Sequence, residues 1–391
     1  MDYSVAQFND TFPPLMDGVA MVVWNYARWL NKTFGKCYSI VSYAPGPRER
    51  LIEKEEMPVI RYFSIPLPFR FPYRIGLPWL DPSLFKKLNE LELNLVHTHN
   101  PFSSGLIARK YARKNAIPIV ATFHSKFREF VDGLFHSKTI TEIVINKIVD
   151  YYHSVDSVWV SNKVTGETLK AYGYRGQPEI IPHGTDFKPP KNIKVAHETG
   201  NEFLGIAASD VVFLYVGFLS REKNLDFLMR ALRLVKKMRK HFKMFFIGEG
   251  YAQAELQRLA RNLNLNNEIR FLGVIRDREL LQYCYARANL LLFPSLNDTY
   301  SLVVREAAVF RVPSVILENT NTAEAINDSH NGFITERFVD TYAEKIAFFI
   351  DHPQEIERVG LAAFQTLYIP WESVIEKVKK NYINIITNYR V

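Results

Sequence analysis

The run Val211-Val212-Phe213-Leu214-Tyr215-Val216, followed by Gly217-Phe218-Leu219-Ser220-Arg221-Glu222-Lys223-Asn224, decides the fold. Its apolar, β-branched and aromatic residues do not alternate with polar ones, so it reads as a strand buried on both faces. Residues 224–238 then space their apolar side chains for one helix face, and 243–247 form a second apolar run that ends at Gly248-Glu249-Gly250. Strand, helix and strand in that order make a βαβ unit, which implies a parallel sheet. The alternation extends in both directions. Downstream, 269–272, 290–293 and 314–316 read as strands, and 251–262, 276–286, 304–310 and 340–350 as helices. Upstream, 38–43, 95–97, 117–123 and 157–160 read as strands, with helices at 19–32, 101–115 and 138–153.

Between the two halves, 187–209 is polar, carries Pro189-Pro190 and has no clean period, so it reads as the connection. Two domains are therefore expected, 1–190 and 191–370, with an aromatic and basic closing helix, 371–391, assigned to the first. The 391 residues, 47% hydrophobic and 23% charged, suffice to bury a core in each. Only Cys37 and Cys284 occur, which argues against a disulfide framework and for a reducing cytosol. Residues 1–9 lack the apolar region of a secretory signal, and no 18-residue apolar run appears. The net charge of +8 suggests an anionic partner, whether nucleic acid, anionic lipid or a phosphate-bearing substrate, or a merely basic surface. No zinc-finger, RRM or KH signature is present, so nucleic acid is not expected.

Several residues carry chemistry by position. Asp298 and Glu306 stand seven residues apart where a strand leads through a loop into a helix. Helix N-termini beyond strand ends bind phosphates in open α/β sheets, and a carboxylate there can accept two ribose hydroxyls. Capping or solvation explains each acid equally simply. Gly248 and Gly250 let a backbone approach a phosphate or sugar, or form a tight turn. Arg221 and Lys223, at another strand-to-helix junction, can neutralise a diphosphate or form a solvated pair. Gly18 lies in the loop before the first helix and permits close approach of a substrate. His124 follows the strand ending Ala121-Thr122-Phe123 and should project into an interdomain crevice, and His97, Thr98, His99 and Asn100 end the preceding strand in the same way. No acid stands at ligand-like spacing to these histidines, so no metal is expected.

Taken in order, the Asp17-Gly18-Val19 loop, Val96-His97-Thr98-His99, Thr122-Phe123-His124, Pro182-His183-Gly184-Thr185-Asp186, Glu222-Lys223-Asn224, Gly248-Glu249-Gly250 and Asp298-x7-Glu306 resemble glycosyltransferase family 4, the retaining GT-B enzymes. The resemblance implies an α/β chain of GT-B type: two Rossmann-like domains facing across a cleft, acceptor-binding first and donor-binding second, with the C-terminal helix returning to the first. It implies a nucleotide-sugar donor as substrate, no cofactor and no metal. Glu306 would bind the ribose, Asp298 would reach the sugar, Lys223 would hold the diphosphate, His124 would face the transferred sugar and the Gly18 loop would close over the phosphates. The chain departs from the family at Asp298, where Glu is usual, and at Phe218, where Arg is common; Arg221 is expected to supply that charge.

The segment 65–79, with Arg70, Tyr73, Arg74 and Trp79, mixes aromatics, prolines and arginines, and looks like the corresponding loop of diacylglycerol glucosyltransferases. Such residues suit a membrane interface, as do the apolar and basic residues of 127–147, although both segments can instead cover a core. The reading is a hexosyltransferase moving glucose from UDP-glucose onto a lipid such as diacylglycerol, cytoplasmic and peripheral on the inner face of the cell membrane. Two alternatives stand beside it: a soluble glycan, glycolipid or protein acceptor, and a non-catalytic nucleotide-binding subunit.

Overall fold

The computed structural model describes residues 3–13, 15, 17–42, 57–67 and 73–390. The chain forms two compact units, Thr185–Pro370 and the remainder, to which Trp371–Val391 belongs. The boundary lies at 184/185 rather than at 190/191.

The first unit begins β1 (Tyr3–Asn9), α1 (Gly18–Thr33), β2 (Gly35–Val41), β3 (Val59–Arg61), β4 (Ser64–Pro66), β5 (Arg74–Gly76) and α2 (Pro82–Asn89). It continues β6 (Leu95–Thr98), α3 (Ser103–Asn115), β7 (Ile119–Phe123), α4 (Phe127–Phe135), α5 (Lys138–His153), β8 (Ser157–Val160), α6 (Lys163–Ala171) and β9 (Glu179–Ile180). Its parallel sheet runs in the order β3-β2-β1-β6-β7-β8-β9, and β4 and β5 pair apart as an antiparallel hairpin. The order reverses between β1 and β6, so their carboxyl ends flank the crevice where such sheets bind ligands. Helix α3 has no capping side chain of its own. Asp10, just beyond β1, supplies one: its Oδ1 accepts from Ser104 N at 3.1 Å and from Ser103 Oγ at 2.7 Å.

The second unit is α7 (Ile193–Leu204), β10 (Val212–Val216), α8 (Leu225–Lys237), β11 (Lys243–Ile247), α9 (Gln253–Asn262), β12 (Ile269–Gly273), α10 (Arg278–Arg287), β13 (Leu290–Phe293), α11 (Leu302–Val309), β14 (Ser314–Leu317), β15 (Phe333–Thr335), α12 (Val339–Asp351) and α13 (Pro353–Leu367). Its parallel sheet runs β12-β11-β10-β13-β14-β15, with the reversal between β10 and β13. Val212, Phe213, Leu214 and Tyr215 have no exposed surface, as a strand covered on both faces requires.

Helix α7 corrects the expectation of an irregular connection over 187–209. Ala196, Gly200 and Leu204 form its buried stripe, and Asn192 caps it by accepting from Lys194 N and Val195 N. Gly200 broke the period in the sequence, yet it is the point of closest packing. A Cβ there would lie 2.6 Å from the carbonyl oxygen of Tyr283 and 2.7 Å from Cβ of Arg287, so only glycine lets α7 settle on α10.

The last helix, α14 (Trp371–Asn388), returns to the first unit and packs on α1. Gly184 admits it: a Cβ there would lie 2.8 Å from both N and Cα of Trp371.

Candidate active site

Two constellations form, one in each unit. In the second unit, the loops that leave β10 and β13 meet at the reversal of the sheet. Lys223 Nζ donates to Asp298 Oδ1 at 2.8 Å and Oδ2 at 2.7 Å, and Ser295 Oγ donates to the same carboxylate. Both side chains of the pair are mostly buried, 23% and 20% exposed. The helices behind them start on left-handed residues that are not glycine, Asn224 (φ 57°) and Ser301 (φ 50°). Such conformations cost free energy and cluster where a site needs a fixed loop.

Glu306, one turn into α11, accepts from Arg278 Nη2 at 2.9 Å and from Tyr285 Oη at 2.7 Å. The same Arg278 nitrogen donates to Asp186 Oδ1 at 2.5 Å, and the guanidinium lies 3.9 Å above the Phe187 ring. Burial opposes the Arg278 charge, but Glu306 and Asp186 outweigh it and hold its pKa above the usual arginine range. The two bonds orient the Glu306 side chain. Asp186 belonged to a recognised motif, whereas Arg278 and Tyr285 were missed: each sits in an ordinary-looking helix segment, and nothing local to it marks a partner 28 or 21 residues away.

Arg221 is exposed and pairs with Glu255, its Nη2 3.0 Å from Oε2. Of the two basic residues, it is Lys223 that bonds to the Asp298 carboxylate. Gly248 and Gly250 are required by the protein's own backbone. A Cβ on Gly248 would lie 2.0 Å from the Gly217 oxygen, and one on Gly250 2.2 Å from the Leu219 oxygen. The loops after β10 and β11 are zipped there by Leu219 N to Glu249 O (2.8 Å) and Ala252 N to Leu219 O (3.0 Å). Of the two readings of this motif, ligand approach or a tight turn, the backbone packing accounts for the glycines on the second. A cavity of about 400 Å³ opens beside the loops that leave β13 and β14, lined by Leu296, Asn297, Glu318, Asn319, Thr320 and Arg337.

In the first unit, residues two apart on a strand share a face. His97 and His99 therefore lie over Thr122 and His124 of the neighbouring β7 end. The bonds His97 Nε2 to Thr122 Oγ1 (2.7 Å) and His99 Nδ1 to His124 Nε2 (2.9 Å) form two rungs. Gln7 lies beside His97 in register, and its Oε1 is 2.8 Å from His99 Nε2. Tyr382 of α14 closes the set, 2.6 Å from His97 Nδ1. Burial holds His97 and His99 well below the usual histidine pKa, with repulsion from neighbouring histidines adding to it, and pushes His124 down to about 3. All three are neutral at physiological pH. Among the described residues no group of three or more His, Cys, Asp or Glu is arranged to hold a metal ion.

Gly18 starts α1 behind the Asp17 cap, whose Oδ1 accepts from Ala20 N at 2.7 Å. A Cβ on Gly18 would meet nothing within 4 Å, so the fold itself does not demand glycine there. Arg74 is half-buried, and its Nε and Nη2 donate to Ser64 Oγ and O across the β4–β5 hairpin, at 2.8 and 2.7 Å. Tyr73 is half-buried, Trp79 is exposed, and Arg70 lies outside the described residues.

The family model described as Glycosyltransferase Family 4 matches residues 16–188, and that described as Glycosyl transferases group 1 matches 198–366. The chain belongs to glycosyltransferase family 4. It is 25% identical over 336 residues to the alpha-monoglucosyldiacylglycerol synthase of Streptococcus pneumoniae, covering 84% of this chain and 74% of that one. It is 24% identical over 364 residues to the enzyme of the same name from Acholeplasma laidlawii, covering 90% and 89%. The crystal structure of Anabaena HepE in complex with UDP-glucose superposes with a TM-score of 0.78 at 17% identity, covering 97% of this chain and 99% of that one. The fold of this family 4 glycosyltransferase is accordingly GT-B.

Proposed function

We propose that this glycosyltransferase binds a nucleotide-sugar in its second unit and moves a hexose, glucose from UDP-glucose, onto a membrane lipid such as diacylglycerol with retention of configuration. The observation that carries the reading is the pairing of Lys223 with Asp298 at the sheet reversal, one loop from a Glu306 carboxylate locked by Arg278 and Tyr285. A locked carboxylate suits two ribose hydroxyls, and a lysine at a strand end suits a diphosphate. When the diphosphate takes Lys223, Asp298 is released toward the sugar. The anomeric carbon–phosphate oxygen bond breaks, the acceptor oxygen bonds to the same face of that carbon, and its proton passes to the leaving phosphate oxygen. Positioning and charge stabilisation supply the catalysis, without a cofactor. His124 is assigned to the transferred sugar by the family resemblance alone.

The lipid acceptor is supported by the names of the two relatives and by the surface of the first unit. Phe63, Ile65, Ile75, Trp79 and Leu80 are all exposed within 18 residues of chain, and Phe135, Ile140 and Ile143 are exposed on α4 and α5. An exposed apolar set beside a net positive charge suits the interface of an anionic bilayer. Among the described residues no helix is long and apolar enough to cross a membrane, so the association is peripheral in this reading.

Release of nucleoside diphosphate from UDP-, GDP- and ADP-sugars, with and without vesicles of diacylglycerol and anionic lipid, tests it. Vesicle-stimulated UDP release from UDP-glucose, abolished in Glu306→Ala, is the expected result. Release stimulated only by soluble glycans would replace the acceptor, and nucleotide binding without release under every condition would remove the activity.

A further inference from the structure

Two carboxylates of the second unit share one guanidinium. Arg278, the first residue of α10, donates from a single nitrogen, Nη2, to Asp186 Oδ1 at 2.5 Å and to Glu306 Oε1 at 2.9 Å. Its Nε is buried and makes no hydrogen bond among the described residues. An arginine fork can close on a carboxylate with two parallel bonds, and here it does so on neither acid. The Phe187 ring, 3.9 Å from the guanidinium, holds it in one plane, and Phe187 itself packs edge-on against Tyr285 and Phe310 at 5.7 and 5.5 Å. This division leaves Glu306 half engaged. A carboxylate offers about four acceptor positions; Arg278 takes one on Oε1, and Tyr285 Oη, 2.7 Å away, takes one on Oε2. Each oxygen keeps a further acceptor position. With two acids against one base, the set has acceptors in surplus, so it suits a pair of hydroxyl donors and disfavours a phosphate.

We propose that Asp186 is a positioning residue for the nucleotide: by drawing the Arg278 guanidinium toward itself, it keeps that group from closing bidentately on Glu306, and so preserves an acceptor position on each Glu306 oxygen for the vicinal hydroxyls of the donor's ribose. This rests on Glu306 receiving the ribose, as proposed above. Without Asp186, the anion left beside Arg278 is Glu306 itself. The guanidinium then turns in its plane over Phe187 until two of its nitrogens face both Glu306 oxygens, the arrangement that arginine and carboxylate favour. A Glu306 engaged in that way is satisfied by the protein and has to break a bond before it accepts a ribose. Asp186 touches no part of the nucleotide in this scheme and acts only through Arg278.

Calorimetry of the full chain with UDP and with 2′,3′-dideoxy-UDP tests this, because the ratio of the two Kd values reads the Glu306–ribose contact, whereas general damage to the site weakens both alike. The wild type should favour UDP roughly tenfold or more, the value of a hydrogen bond to a charged group. In Asp186→Ala the preference should shrink to roughly threefold or less, through weaker UDP binding at a constant Kd for the dideoxy nucleotide. In Asp186→Ala/Arg278→Met no guanidinium remains to close on Glu306, and the preference should return toward the wild-type value. An unaltered preference in Asp186→Ala, an equal loss for both nucleotides, or no recovery in the double variant overturns the inference. If Asp186→Ala does not fold, Asp186→Asn, which keeps the shape and drops the charge, should shrink the preference in the same direction, and an unaltered ratio there overturns it too. A wild type that binds both nucleotides alike, or a full preference in Glu306→Ala, removes instead the reading of Glu306 as the ribose ligand, a result that the Asp186 variants do not produce.

Discussion

Lys223 and Asp298 hold each other with two short bonds, each satisfying a charge that would otherwise be stranded at the mouth of the sheet. Removing the lysine should weaken UDP binding by about 1.5–3 kcal/mol, the range for hydrogen bonds to charged groups, which calorimetry on Lys223→Ala would read. Arg221→Ala should change that affinity little, because Arg221 is exposed and engaged with Glu255; an equal loss in both variants would restore Arg221 as the phosphate ligand. The buried histidines set a second expectation. His97, His99 and His124 have pKa values depressed in the folded protein and near 6.5 when unfolded, so the unfolded chain binds more protons. Their contribution to stability is complete above about pH 6.5 and declines below it by about 1.4 kcal/mol per pH unit for each histidine. Urea midpoints measured between about pH 7.5 and about pH 5 should fall steeply, and a flat profile would mean that these rings are protonated in the fold. At this scale the sequence offered Asp298, Glu306, Lys223 and His124 as candidates, because each follows a strand through a loop or into the next helix. It concealed Arg278, Tyr285, Gln7 and Tyr382, whose meaning lies only in what another segment brings to them.

Helix starts carry the strain of the second unit. Ser301 precedes α11 with φ of 50° and a buried hydroxyl that finds no hydrogen-bond partner. Ser301→Gly removes both faults and should stabilise the protein by about 1 kcal/mol, less than the full left-handed penalty because glycine also gains freedom when unfolded. A lower melting temperature would contradict that. Gly250→Ala should destabilise strongly, since its methyl group would fall onto the Leu219 backbone rather than a movable side chain. The βαβ elements were legible because apolar runs and helical periods recur at regular intervals, and strand cores such as Leu290–Phe293 coincide with the sequence reading. Helix α7 was not, since Gly200 and flanking polar residues mask a stripe of only three buried positions, and its partner α10 lies far along the chain. In Gly248-Glu249-Gly250 the sequence left ligand approach and a tight turn side by side, and only the structure shows how closely both glycines pack on neighbouring backbone.

At the level of the molecule, net charge and exposed apolar side chains make a joint prediction. Trp79 and Leu80 are 56% and 62% exposed, and replacing both by Asp should reduce co-sedimentation with anionic vesicles while leaving UDP binding intact. Wild-type binding should weaken as salt rises, because the attraction of the basic surface is screened over about 10 Å at 0.1 M salt; salt-independent binding would leave the apolar contact as the sole anchor. The two-unit plan was readable in the alternation of runs, but its boundary was not, because the junction at Gly184 is defined by the room it leaves for Trp371. That return of the final helix also governs how the protein is made. On the ribosome, the second unit emerges whole, as one uninterrupted segment, while the first must wait for its last piece. Gln7 is synthesised 375 residues before the Tyr382 it donates to. Until translation reaches α14, the histidines beneath it lie uncovered, so the chain is sealed last over its buried imidazoles.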